Sequence, residues 1–157
     1  MVVTDRRGRG LANLRLSVTD RCNLRCQYCM PEAEYIWLPR ADILTFEEIE
    51  TLVAIFTELG TNKVRLTGGE PLLRKNLPDL IAGLARKSAL DDLALTPTGV
   101  LLSDQAQALH SAGLPRLTVS LDTLQPERFK TLTRFDNLGA VRRGLERAVE
   151  VGFSSLK

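Results

Sequence analysis

The chain's three cysteines, Cys22, Cys26 and Cys29, lie in one run, CNLRCQYC, and no other cysteine occurs in its 157 residues. Closed zinc and iron–sulfur sites generally use four protein ligands. Three thiolates leave one coordination position open, and an open position is where a substrate or co-substrate binds. The spacing therefore points to an active cluster more than to a structural staple. Two other readings remain on the residues alone. Cys26-Gln-Tyr-Cys29 by itself is a redox CxxC, which leaves Cys22 without a role. His110, the single histidine, closes a zinc site if it joins the three thiolates, although a histidine late in a predicted helix is more simply a surface or half-buried residue.

Those residues need a scaffold, and the composition allows one. Hydrophobic residues make up 44% of the chain and charged residues 25%, ordinary for a domain with a core. The length suits one domain or a large part of one. A net charge of +2 gives no case for nucleic acid as a partner. No run of about 18 apolar residues suggests a membrane span. The start, MVVTDRRGRG, lacks the apolar stretch of a signal peptide. The expected compartment is cytoplasmic and reducing, where clustered cysteines serve metal or redox chemistry rather than disulfides. Residues 1–12, with Arg6, Arg7 and Arg9, read as a flexible, solvated arm; an electrostatic role toward an anionic ligand is the sharper alternative. Residues 13–157 read as the folded domain.

Along that domain one pattern recurs: a helical stretch ends in glycine, a few residues follow, and an apolar strand begins. It occurs in ELGTNKVRLT, SAGLPRLTVS and EVGFSSLK, with Gly60, Gly113 and Gly152 at the position where a left-handed residue stops a helix. Strands are predicted at Leu14–Val18, Val64–Thr67, Leu93–Thr96 and Leu117–Leu121, with a fifth starting near Ser155. Thr45 and Glu48 form a capping box before Ile49, Leu52, Val53, Phe56 and Leu59. Asn76 and Ser103 are the candidate caps of the next two helices. A short helical turn near Pro126–Leu132 and a helix after Asn137 follow. Alternating strands and helices predict an α/β fold with a parallel sheet and right-handed crossovers. Periodicity leaves a doubly wound sheet and a barrel open, but both bind ligands at the carboxyl ends of strands. Those ends carry Thr19–Asp20, Thr67–Gly68–Gly69, Thr96 and Ser120–Asp122, and the cysteines follow directly after the first strand. Gly68 and Gly69 would let a ligand approach the backbone closely; a tight strand-to-helix turn shaped by Pro71 is the plainer reading.

CxxxCxxC after the first strand with GGEP after the second resembles the radical S-adenosylmethionine superfamily. LRLSVTDRCNLRCQYCMP, ILTFEEI, KVRLTGGEPLLR and LTVSLDTL resemble, within it, the GTP 3′,8-cyclase family of molybdenum cofactor biosynthesis, from about Asn13 to Lys157. The resemblance implies a partial (β/α)6 barrel of the TIM-like radical SAM kind, cut after about four βα units. It implies that Cys22, Cys26 and Cys29 hold three irons of a [4Fe–4S] cluster whose fourth iron chelates S-adenosylmethionine, and that an electron donor drives cleavage to a 5′-deoxyadenosyl radical. In the family that radical abstracts hydrogen from C3′ of GTP, and the carbon radical attacks C8 of guanine. By the same resemblance Tyr28, Gly69 and Ser120 contact S-adenosylmethionine, and Arg15, Arg65, Thr96 and Lys157 contact GTP. Arginine forks and a lysine suit a triphosphate. The plainer readings are a packed aromatic for Tyr28, a strand-end serine for Ser120, a charged terminus for Lys157, and salt bridges of Arg15 and Arg65 to Glu70 or Asp122.

The resemblance breaks in two places. The family reads TTNG after the third strand, where this chain has Thr96-Pro97-Thr98-Gly99. Pro97 removes a backbone N–H, and Thr98 replaces an amide that both donates and accepts. The family chain is also about twice as long, and its other half carries a second cysteine-ligated cluster that binds guanine. No cysteine follows Cys29. The resemblance thus implies an N-terminal half, as a fragment or as one piece of a split protein with a C-terminal partner, which binds the first cluster but does not complete cyclisation alone.

Overall fold

A computed structural model describes residues 3–32 and 34–157. Five strands form one sheet in sequence order: β1 (Asn13–Ser17), β2 (Lys63–Thr67), β3 (Asp92–Leu95), β4 (Arg116–Leu117) and β5 (Ser155–Leu156). Every neighbouring pair is parallel. Helices α1 (Phe46–Glu58), α2 (Leu77–Ala85), α3 (Leu102–Ser111), α4 (Pro126–Thr133) and α5 (Leu138–Glu150) lie in the connections. Consecutive strands always neighbour one another, so crossovers of one hand place the helices on one side of the sheet. The packing agrees: Leu16, Val64, Leu66, Leu93, Leu95 and Leu117 share one buried core with Ile49 and Val53 of α1, Leu80 and Leu84 of α2, and Leu102 and Leu109 of α3. Four βα units and a fifth strand are present, as expected.

Local signals explain most boundaries. The Thr45 side chain accepts from the Glu48 N–H, and Glu48 accepts in return from the Thr45 N–H at 2.7 Å. Gly60, Gly113 and Gly152 take φ of 113°, 90° and 98°, a region that costs other residues energy. Two expected caps are corrected. Asn76 is itself left-handed at φ 59°, and its side chain caps nothing. Leu101 holds the cap position of α3, so Ser103 sits in the first turn, bonded to Asp104. Regular β4 is two residues long rather than five, although the ladder continues through Thr118 N–H to Leu95 O and Val119 N–H to Lys157 O.

The segment before β1 folds back on itself. Thr4 bridges Gly10, Asp5 pairs with Arg9 at 2.7 Å, and the Val3 N–H reaches Leu59 O at the end of α1. Met1 and Val2 lie outside the described residues.

Candidate functional site

The two faces of the sheet differ in chemistry. Strand residues alternate between faces, and parallel neighbours in register share one. Arg15 pairs with Arg65, Arg65 with Ala94, Ala94 with Arg116 and Arg116 with Ser155. Continuing the registers two residues toward the carboxyl ends gives Ser17, Thr67, Thr96, Thr118 and Lys157; two residues the other way gives Asn13, Lys63 and Asp92. The face opposite the helices is therefore polar apart from Ala94, and it carries five cations against one carboxylate. Parallel sheets covered on both faces read as continuous apolar runs; this one alternates because only one face is dry. A cavity of about 190 Å³ opens on the polar face, lined by Asn13, Arg15, Lys63, Arg65, Asp92 and Arg116 among others.

The cations are held differently. Arg65 is half-buried and donates through one guanidinium nitrogen to Thr96 Oγ1 at 3.0 Å and Thr118 Oγ1 at 3.1 Å, bracing it across two strands. Arg116 pairs with Asp92. Arg15, Lys63 and Lys157 are exposed. The salt bridges considered for Arg15 and Arg65 are not made, because Glu70 and Asp122 are engaged elsewhere. Of the cationic row, sequence reasoning picked out Arg15, Arg65 and Lys157 and missed Lys63 and Arg116. The alternation in KVRLT and RLTVS carried that signal.

One to two strand pleats above this row, about 7 Å per two residues, the chain leaves β1 and forms the cysteine loop. Cys22 and Cys26 are half-buried against Leu24, Phe129, Leu138 and Val141, and Cys29 is exposed. The loop is clipped to the end of α4 by Arg25 N–H to Thr133 O and Gln27 N–H to Leu132 O, at 3.0 and 2.9 Å. The Arg25 guanidinium donates to Cys22 O and Leu24 O and lies 5.5 and 5.2 Å from the ring centroids of Tyr35 and Trp37. Nothing in the sequence distinguished Arg25 from other surface arginines. Burial pushes the Cys22 thiol up from its ordinary value, and the Glu70 charge adds to that. Burial likewise raises Cys26, with the Tyr28 hydroxyl opposing.

The GGEP loop lies directly against the segment after β1. The Gly69 N–H donates to Thr19 O and the Glu70 N–H to Arg21 O, at 2.9 and 2.7 Å. A Cβ on Gly68 would fall 2.6 Å from Thr19 O, and one on Gly69 would strike the Asp20 and Arg21 backbone. The glycines are thus explained first by this close crossing of two backbone segments, where the sequence suggested close approach of a ligand or a tight turn. The Gly69 N–H is committed to the chain, so the carbonyl is the group it can offer. Glu70 is fully buried; it accepts from the Leu72 N–H at 2.9 Å, the Thr98 N–H at 2.7 Å and the Thr98 hydroxyl. Burial pushes its carboxyl above the ordinary range, against the pull of those bonds.

The remaining predicted residues join this rim. Tyr28, 64% exposed, donates its hydroxyl to Asp122 after β4; that bond, burial and the neighbouring Cys26 keep the phenol protonated. Ser120 is exposed, and its N–H donates to Pro97 O at 2.9 Å. The loop that departs from the family pattern is therefore tied into the rim through Pro97 O and Thr98. Thr96 faces the polar side at the top of β3. His110 does not approach the cysteines: it packs edge-on to Phe153, 5.1 Å between centroids, at the far end of α3. Among the described residues no three Cys, His, Asp or Glu side chains are grouped so as to hold a metal ion. Asn23 Nδ2, next to Cys22, is buried without a partner. Three thiols on one loop, two half-buried and one exposed, are a donor set that suits a sulfur-rich group.

Comparison with known proteins bears on this arrangement. The Radical SAM superfamily description matches residues 16–157. GTP 3′,8-cyclase 3 of Mycobacterium bovis is 52% identical over 99% of this chain, and GTP 3′,8-cyclase of Rhodopirellula baltica is 49% identical over all of it. The chain spans 42% and 44% of those relatives. HydG, a maturase of the [FeFe]-hydrogenase, superposes with a TM-score of 0.74 at 16% identity, covering 92% of this chain and 34% of HydG. Native anSMEcpe with bound AdoMet gives 0.71 at 20% identity, covering 93% of this chain and 42% of its own. The α/β sheet is that of a partial barrel. The chain belongs to the radical SAM superfamily.

Proposed function

We propose that the chain is the N-terminal part of a GTP 3′,8-cyclase, with a [4Fe–4S] cluster on Cys22, Cys26 and Cys29. In this reading Tyr28, Gly69 and Ser120 bound the S-adenosylmethionine site, and Arg15, Arg65, Thr96 and Lys157 receive GTP. The observation that carries it is the cationic strand row lying just below a three-thiol rim. That row suits a triphosphate, and the rim suits a cluster with an open position. The names of the relatives support the same substrate. Such a cluster, when bound, supplies the electron that splits the sulfonium of S-adenosylmethionine. The protein's own part is positional. Thr96 and Thr118 hold the Arg65 guanidinium extended toward the rim, which saves ordering cost when an anion arrives. Asp92 neutralises Arg116, leaving Arg15, Lys63, Arg65 and Lys157 to offset phosphate charge. The working protein also takes an external electron donor and residues beyond these 157, from a longer chain or a split partner. We place it in the cytoplasm; among the described residues no helix is long and apolar enough to cross a membrane.

The test is anaerobic iron and sulfide reconstitution, followed by assay for 5′-deoxyadenosine with reductant and S-adenosylmethionine, and titration with GTP and guanosine. Expected are a multi-iron chromophore, GTP binding that weakens with salt while guanosine binds poorly, and no cyclised nucleotide from the 157 residues alone. Arg65→Ala should weaken GTP about tenfold or more, since a charge-assisted fork is lost. Stoichiometric zinc in oxygen-protected material, or equal affinity for GTP and guanosine, would defeat the reading.

A further inference from the structure

The rim contains a hydrogen-bonding conflict whose resolution assigns a role to Thr98. Its hydroxyl carries one proton. Its oxygen lies 2.5 Å from Glu70 Oε2 and 3.4 Å from the side-chain oxygen of Asn23. In that orientation both neighbours are acceptors, so the hydroxyl serves only one of them. Meanwhile Asn23 Nδ2 is buried with no partner. A half-turn of the amide exchanges its oxygen and nitrogen at the same positions. The NH2 then donates to Thr98 Oγ1, and the Thr98 proton stays on Glu70. One hydrogen of the NH2 then has a partner, and the group moved into the buried position without one is a carbonyl oxygen, which is less costly to strand than a donor.

We infer that Asn23, Thr98 and Glu70 form a directed relay, and that Thr98 is a positioning residue setting the cysteine loop against the Gly68–Gly69 crossing. The inference rests on the reading given under Proposed function. Asn23 follows Cys22 directly, and Glu70 follows Gly69 directly. The relay thus spans from the first thiol to the glycine backbone through the loop after β3. Thr98 holds Glu70 twice, by N–H and by hydroxyl, so it is anchored on the rigid side and reaches toward the less constrained one. One hydroxyl here supplies both a donor and an acceptor, the two functions that an amide at this position would offer on separate atoms. Residues outside the metal ligands that orient them are typically worth 10–100-fold in affinity or activity.

Thr98→Val keeps shape and backbone N–H and removes only the relay; Thr98→Ser restores it. Amide hydrogen exchange is read first, on the metal-free chain. Thr98→Val should raise exchange about tenfold in residues 22–25, and Thr98→Ser should leave it at the parent level. After reconstitution, Thr98→Val should retain its iron but bind S-adenosylmethionine about tenfold more weakly, with the serine variant again matching the parent. If Thr98→Val fails to fold by circular dichroism, Asn23→Ala, which leaves the Thr98–Glu70 contact intact, should show the same two shifts. Parent-like exchange in the valine variant overturns the relay. Raised exchange with unaltered co-substrate affinity overturns the positioning role. A parent chain that assembles no multi-iron cluster removes the underlying reading and the positioning claim with it, while the exchange result still reports separately on the relay.

Discussion

The GGEP loop and the cysteine loop meet at the same rim but are held by different means. The first is bound into the protein: Glu70 is fully buried with three donors upon it, and Gly68 and Gly69 lie too close to the backbone of residues 19–21 to admit any other side chain. The second is fastened at its middle, where Arg25 and Gln27 bond to the end of α4 and Arg25 lies over Tyr35 and Trp37, while its reactive groups range from half-buried to exposed. On the proposed function the difference would separate two tasks. A surface that receives a co-substrate gains from being rigid before the ligand arrives. Metal ligands can be completed by the metal, because binding free energy becomes folding free energy locally.

That contrast can be broken most sharply at Cys29. Cys29→Ser should abolish assembly of the multi-iron chromophore, yet shift metal-free stability by less than about 0.5 kcal/mol, as for other exposed substitutions; iron analysis beside urea unfolding checks both halves. Glu70→Ala should do the reverse, costing about 2–4 kcal/mol of metal-free stability because it strands the buried N–H of Leu72 and the half-buried N–H of Thr98. Urea midpoints that match the parent would remove the distinction. Gly69→Ala should cost about 1–3 kcal/mol, since the obstacle is main chain and has little room to yield. The smallest effect is in pH. Glu70 titrates above the ordinary carboxyl range in the folded chain. Between that range and its raised value, the folded chain keeps a proton that the unfolded chain has lost. Stability should therefore be fullest below the window and decline as pH rises through it, and Glu70→Gln should flatten that decline in urea midpoints taken at stepped pH.

The strand–helix alternation, the glycine helix stops and the Thr45 capping box were all legible in the sequence, because each depends on local backbone preference. So was the grouping of strand ends at one rim, which follows from parallel topology. The caps at Asn76 and Ser103 were not: whether a side chain folds back on an N–H depends on a backbone angle set by packing, and Asn76 is turned left-handed. Lys63 and Arg116 were readable, had the alternation been followed to the idea that one sheet face stays polar. Glu70 does not pair with an arginine, because its oxygens are taken by the Leu72 N–H next to it and by Thr98 on the loop after β3, 28 residues away in sequence. Arg25 had no signal, since cation–aromatic stacking depends on where the chain returns.

The crowding of like charges along one sheet face has a consequence for the ligand-free chain. Arg15, Lys63, Arg65 and Lys157 share that surface with a single acid already spoken for by Arg116. A multivalent anion bound there would offset several of these charges at once and so stabilise the folded chain by mass action. Pyrophosphate should therefore raise the melting temperature well beyond an equal ionic strength of chloride, which makes a simple thermal shift a sensitive report on this surface even where no turnover can be measured.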